Sequence, residues 1–131
     1  MSISRNIKDI FNRVKVFSFF AGSGFLDLGF ESSDMPVVYI NEVYAPFLEA
    51  YKYSRKLLKS PLPEYGYYNG NIVDLLEGEA ALELGIFVRD ARKNNNIVGF
   101  IGGPPCPDFS VGGKNRGSEG DRGRLSASYI E

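Results

Sequence analysis

The chain has 131 residues, about one domain's worth, with 44% hydrophobic and 24% charged residues, an ordinary globular composition far from that of a disordered chain. Lys and Arg number 15 against 16 Asp and Glu, so a net charge of -1 singles out no class of partner. One cysteine excludes an internal disulfide, and the absence of histidine excludes Ser-His-Asp and Cys-His catalysis together with the commonest zinc ligand.

No apolar run is long enough to cross a bilayer. The opening segment, MSISRNIKDIFNRVKVFSFF, carries Asp9 and scattered charges where an export signal needs an unbroken apolar stretch. A cytoplasmic location with no membrane and no metal partner is therefore expected.

In chain order, Val14 to Phe20 is β-branched and aromatic and runs into AGSG, the pattern of a buried strand ending in a tight turn. A helix is expected from about Gly24, a second strand over Val37 to Ile40, and a helix over Tyr44 to Leu58 with Pro46 in its first turn. Ser60 to Gly70, with Pro61, Pro63 and Gly66, reads as an exposed connection. NGNIVDLL, Asn69 to Leu76, reads as a short strand. Leu75 to Lys93 reads as a helix disturbed near Gly78 and Gly85 and ended by three asparagines, and Ile97 to Ile101 as a fourth strand. Such a βαβαβαβ series implies a mostly parallel sheet covered by helices on both faces.

In open parallel sheets the ligand site lies beyond the carboxyl ends of the strands. Three unusual segments fall there: FFAGSGF, INEV and IGGPPCPDFS. The glycines of the first suit either a plain strand-to-helix turn or a close backbone approach to a ligand. Glu42, 20 residues after Gly22, stands where an acid can accept hydrogen bonds from ribose hydroxyls, while Asp27 occupies the place of a dinucleotide motif's third glycine. An adenosine-bearing ligand without a pyrophosphate fits better than NAD.

Cys106 reads either as a small buried hydrophobe or as a nucleophile. Pro104, Pro105 and Pro107 fix the backbone around it, and Lys114 or Arg116 on the same loop offers the positive charge that lowers a thiol's pKa. Lys114, Arg116, Arg122 and Arg124 suit phosphate binding or a solvated loop partly cancelled by Glu119 and Asp121.

These segments together resemble the N-terminal part of the DNA (cytosine-5)-methyltransferases. FSFFAGSGFLDLGFE resembles the family's S-adenosylmethionine motif, Asn41-Glu42 its ribose-binding acid, and GGPPCPDFS its catalytic Pro-Cys loop, in order from Val14 to the last residue. The resemblance implies a Rossmann-like S-adenosylmethionine-dependent methyltransferase fold (α/β), of which residues 1–131 form the first half of the parallel sheet. It further implies that Phe20, Ala21, Gly22, Gly24, Glu42, Asn71, Ile72 and Pro105 bind the cofactor, with Glu42 on the ribose and Ile72 flanking the adenine. Cys106 is implied as the nucleophile, and Ser110, Lys114 and Arg116 as DNA contacts.

The implied reaction is methylation of cytosine C5 in double-stranded DNA, on a flipped base and through a covalent bond from Cys106 to C6, in a bacterial restriction-modification setting. Three positions depart from the family pattern. Phe25 replaces a glycine and is expected to narrow the turn, Asn71 replaces an Asp at the adenine, and Pro107 replaces a Gln after the cysteine.

The family's Glu-Asn-Val motif, later Arg-x-Arg motif and target-recognition region have no counterpart in this chain. The expectation is an amino-terminal piece of the catalytic domain that works with the remainder of the enzyme or a complementing subunit. The alternative is a catalytically incomplete fragment or split subunit that binds cofactor and needs a partner chain. A nucleotide-binding oxidoreductase domain is a more distant alternative.

Overall fold

The computed structural model describes residues 3–104, with side chains from Asn6 onward. Eight principal elements alternate along it. They are α1 (Ile3–Asn12), β1 (Val14–Phe19), α2 (Phe25–Ser32), β2 (Val37–Asn41), α3 (Ala45–Leu57), β3 (Tyr67–Tyr68), α4 (Glu79–Ala91) and β4 (Ile97–Gly102).

The four strands form one parallel sheet in the order β3-β2-β1-β4. β1 is an inner strand and mostly apolar, and Val16, Phe17, Ser18 and Phe19 are all buried. Its pairing with β4 is regular from Val14 opposite Ile97 to Phe19 opposite Gly102, whereas its register with β2 slips between Val16 and Phe17.

Side-chain alternation divides the core in two. Phe17, Phe19 and Tyr39 face one layer, where Leu84, Phe87, Val88 and Ala91 of α4 pack with Ile72. Ile40 faces the other, against Leu48 and Tyr51 of α3. Helices thus cover both faces, and this half of the sheet is Rossmann-like.

The described elements correct the sequence expectations in three places. The third strand is Tyr67–Tyr68, inside the segment expected to be an exposed connection, and Ile72–Leu75 is a short 3-10 turn instead of a strand. The reason is Asn71: its side-chain oxygen accepts the Val73 amide at 3.1 Å and caps a helical turn, while buried Ile72 anchors that turn in the core. α4 starts at Glu79, after Gly78 at φ 96°, and Gly85 stays within the helix without breaking it. α1 is a helix that the sequence reading left unassigned.

The three asparagines do end the α4 region, with Asn94 and Asn95 in left-handed backbone. Among the described residues, no helix is long and apolar enough to cross a membrane, and no group of Asp, Glu, His or Cys is arranged to hold a metal ion.

Candidate functional site

The carboxyl ends of β1 and β2 converge on Glu42. Beyond β1 the backbone turns sharply, with Phe20 at φ 50°, Gly22 at 58° and Gly24 at 89°. A bulky residue such as Phe20 is rarely left-handed. The turn is held by the Ala21 amide on the Asn41 carbonyl and the Gly24 amide on the Ala21 carbonyl, both at 3.0 Å.

Glu42 is 8% exposed and has no cationic partner among the described residues. Backbone amides satisfy it instead: Gly22 N–H donates to Oε2 at 2.8 Å and Tyr44 N–H to Oε1 at 3.1 Å. One carboxylate therefore ties the turn after β1 to the start of α3. Each oxygen keeps acceptor capacity beyond its one amide.

Around this carboxylate opens a cleft of about 470 Å³. It is lined by Phe20 and Gly22 after β1, by Asn41 and Glu42 at the end of β2, by Gly70, Asn71 and Ile72 after β3 and by Gly103 after β4, with Val43, Tyr44 and Phe47 adding apolar and aromatic surface. Tyr44 and Phe47 meet edge to face at 4.8 Å and are both about half exposed. Among the described residues the cleft is lined by no Lys or Arg, and Glu42 is its one acid. That chemistry disfavours a phosphate and suits hydroxyls and an uncharged ring.

A groove of similar volume, about 440 Å³, lies at the other end of the strands among Lys15, Asp34 and Glu64. There Lys15 is already paired with Glu64 at 3.0 Å, so volume alone does not distinguish a site.

Behind the turn, Asp27 of α2 is buried and doubly hydrogen-bonded. Ser18 Oγ donates to Oδ1 at 2.7 Å and Tyr51 OH to Oδ2 at 2.6 Å. Burial pushes the Asp27 carboxyl above the ordinary aspartate value and holds the Tyr51 phenol far above its own. Arg55 lies 4.1 Å over the Tyr51 ring, donates Nε to both Glu31 oxygens at 3.1 and 3.0 Å, and donates Nη2 to the Gly24 carbonyl at 2.9 Å. The turn is thus braced from the helix layer.

Similarity to known proteins agrees with this geometry. The profile of the C-5 cytosine-specific DNA methylases matches residues 14–131. The chain belongs to that family. It is 55% identical over 116 residues to the Type II methyltransferase M.NmeDI of Neisseria meningitidis serogroup C, a match covering 88% of this chain and 28% of that protein. It is 31% identical over 119 residues to M.FnuDI of Fusobacterium nucleatum, covering 89% and 28% respectively. The DNA (cytosine-5-)-methyltransferase M.ApeKI of Aeropyrum pernix is 34% identical over 129 residues, covering 91% and 26%. The chain therefore spans little more than a quarter of the length of these relatives. No solved structure matches it.

Set against the family expectations, Phe20, Gly22, Glu42, Asn71 and Ile72 come together on one cleft. Ala21 and Gly24 are not among the lining residues: Ala21 packs against the Ile40, Leu48 and Tyr51 cluster, and Gly24 abuts Tyr51 and Arg55. Phe25 is 82% exposed and is not among the residues that line the cleft. Asn71 already spends one acceptor position on the Val73 amide. Pro105, Cys106, Pro107, Ser110, Lys114 and Arg116 lie outside the described residues.

Val43 and Gly103 fall within the INEV and IGGPPCPDFS segments, whereas Tyr44, Phe47 and Gly70 were not picked out as candidate site residues from sequence. Tyr44 and Phe47 carried a usable signal, since they sit three apart at the start of a helix immediately after Glu42.

Proposed function

We propose that this chain binds S-adenosylmethionine in the Glu42 cleft and provides the nucleophile for methylation of cytosine C5 in double-stranded DNA, in a type II restriction-modification setting. The observation that carries the cofactor half is the Glu42 carboxylate. It is fixed by the Gly22 and Tyr44 amides at the strand ends, with acceptor capacity left over and no cation beside it among the described residues. Two adjacent ribose hydroxyls match such an acceptor pair. Ile72, Val43 and the aromatic rim offer apolar surface to an adenine ring, and the lack of basic lining residues among those described favours a ligand without phosphates over NAD.

When bound, the cofactor supplies an electrophilic methyl group. The chain's own part is to hold it and to activate the base. The cytosine must leave the stack to be reached. The Cys106 thiolate adds to C6, and the electron pair displaced toward C5 makes that carbon a nucleophile. After methylation, loss of the C5 proton and expulsion of the thiolate restore the ring and free the cysteine. Lys114 and Arg116 favour the thiolate or meet DNA phosphates, and Ser110 meets the target strand's backbone. The family's addition step protonates N3 from the Glu-Asn-Val motif, so that acid is assigned to polypeptide outside this sequence.

Calorimetric titration with S-adenosylhomocysteine and, separately, NAD tests the cofactor half. Binding of the former alone is expected, and binding of NAD alone would sink it. A 5-fluorocytosine duplex tests the nucleophile, because fluorine at C5 blocks the final elimination. With the cofactor and the rest of the enzyme supplied, an adduct mapping to Cys106 and lost in Cys106→Ser is expected. An adduct mapping elsewhere overturns the assignment.

A further inference from the structure

Two asparagines lock the Glu42 side of the cleft to the Ile72 side. Asn41, the buried last residue of β2, donates Nδ2 to the Tyr68 carbonyl at 3.1 Å and the Gly70 carbonyl at 2.9 Å. Asn69 returns the contact, donating its own Nδ2 to the Glu42 carbonyl at 2.9 Å and the Val43 carbonyl at 3.1 Å. Since all the partners are carbonyl oxygens, which only accept, the orientation of both side-chain amides is fixed by chemistry.

Among the described residues the last main-chain bond between these segments runs from the Glu42 amide to the Tyr68 carbonyl at 3.1 Å. β3 is two residues long, and its register with β2 ends at Asn41 opposite Tyr68. Beyond that pair the chain leaves the ladder, yet Gly70, Asn71 and Ile72 must still face Glu42 across the cleft. The two side-chain amides extend the cross-strand lock past the last ladder pair. Asn69 itself is exposed and does not line the cleft, so it can act on a ligand only through the walls it holds.

We propose that Asn69, with Asn41 as its counterpart, is a positioning residue that sets the separation of the Glu42 and Ile72 walls and thereby the affinity of the cleft for an adenosine-bearing ligand. The affinity part rests on the function proposed above; the wall-positioning part does not.

The test uses the chain assembled with a polypeptide carrying the rest of the methylase, as parent and as Asn69→Ala, Asn69→Asp and Asn69→Gln variants, titrated with S-adenosylhomocysteine alongside thermal unfolding. Asn69→Ala is expected to weaken binding about three- to tenfold, the scale of one or two net hydrogen bonds, while unfolding stays close to the parent's because the site is exposed. Asn69→Asp should weaken it at least as much, since a carboxylate of the same shape sets oxygen against two carbonyls. Asn69→Gln should recover part of the loss because it keeps the amide donor. Parent-like affinity in both the Ala and Asp variants overturns the proposal, as does a loss that merely follows a fall in unfolding temperature.

Amide exchange read by mass spectrometry separates the two claims. Faster exchange across residues 70–73 in Asn69→Ala is expected with or without ligand, and unchanged exchange there overturns the positioning role. Failure of the parent to bind, with faster exchange in the variant, would instead count against the proposed ligand.

Discussion

The Tyr51 hydroxyl donates to the Asp27 carboxylate at 2.6 Å, joining α3 to α2 directly behind the glycine turn. Both side chains are almost fully buried, and Ser18 donates to the other carboxylate oxygen. Tyr51→Phe leaves that carboxylate short of a donor and is expected to cost about 1–3 kcal/mol of stability, read by urea unfolding.

Titration of Asp27 follows from its burial. Its folded pKa is raised above the ordinary value of 3.8, with desolvation the largest cause. The protonated form is thus favoured in the folded state. The stability this contributes is fully present below the unfolded value and is lost as pH rises through the folded one. Asn at this position does not titrate. The stability gap between parent and Asp27→Asn should therefore be largest in acid and shrink toward neutral pH. A gap that widens as pH rises would mean that the hydrogen bonds and Arg55 outweigh desolvation.

At Glu42, the substitution of interest is the isosteric one. Glu42→Gln keeps the volume, but its amide nitrogen must face either the Gly22 or the Tyr44 N–H, setting donor against donor. The expected loss is about 1–3 kcal/mol of stability and roughly tenfold or more in affinity for S-adenosylhomocysteine. Glu42→Ala removes the carboxylate's bonds to ligand outright, with an expected affinity loss of about 1–3 kcal/mol. Calorimetry and thermal unfolding of the same samples check both, and unchanged affinity in either variant removes Glu42 from the site.

Two glycines of one motif should respond in opposite ways to alanine. At Gly24 a Cβ would come within 2.6 Å of the Tyr51 ring and 2.8 Å of Arg55 Nη2, on backbone already at φ 89°. Gly24→Ala is expected to lose at least about 2 kcal/mol, from left-handed strain plus the clash. At Gly29, inside α2, a Cβ meets nothing within 4 Å. Gly29→Ala should gain about 0.5–1 kcal/mol by restricting the unfolded chain. Unfolding midpoints in urea decide both, and equal signs would contradict the local geometry.

What the sequence disclosed and what it hid divide by range. β1 and its turn were legible because a β-branched, aromatic run meets glycines, and α3 because its apolar residues keep helical spacing after Pro46. Glu42 was legible as an acid at a strand end. β3 was not, since two tyrosines carry no periodicity and the neighbouring Asn-Gly-Asn looks like a turn or a strand edge equally well. The resemblance implied Gly24 at the cofactor, while nothing local shows that it abuts the Tyr51 ring 27 positions away. The Asn41 and Asn69 contacts, like the Asp27–Tyr51 bond, join residues more than twenty apart and leave no local trace.

The last prediction concerns β4. Among the described residues it pairs with β1 alone, so its outer edge carries peptide groups without a ladder partner. Its side chains are apolar as well: Ile97 is 52% and Phe100 55% exposed, although Phe100 packs edge-on to Phe17 and Phe19. An apolar strand edge recruits other strands unless something covers it. The isolated 131-residue chain is therefore expected to self-associate or to remain loosely packed, and to become monomeric and well ordered when a polypeptide carrying the rest of the methylase is supplied. Ile97→Lys, which places a charge on that edge without touching the Phe17 contact, should shift the chain toward monomer. Sedimentation velocity over a concentration series reads both effects. A parent chain that stays monomeric and unfolds cooperatively at every concentration would show that its own residues already cover the β4 edge.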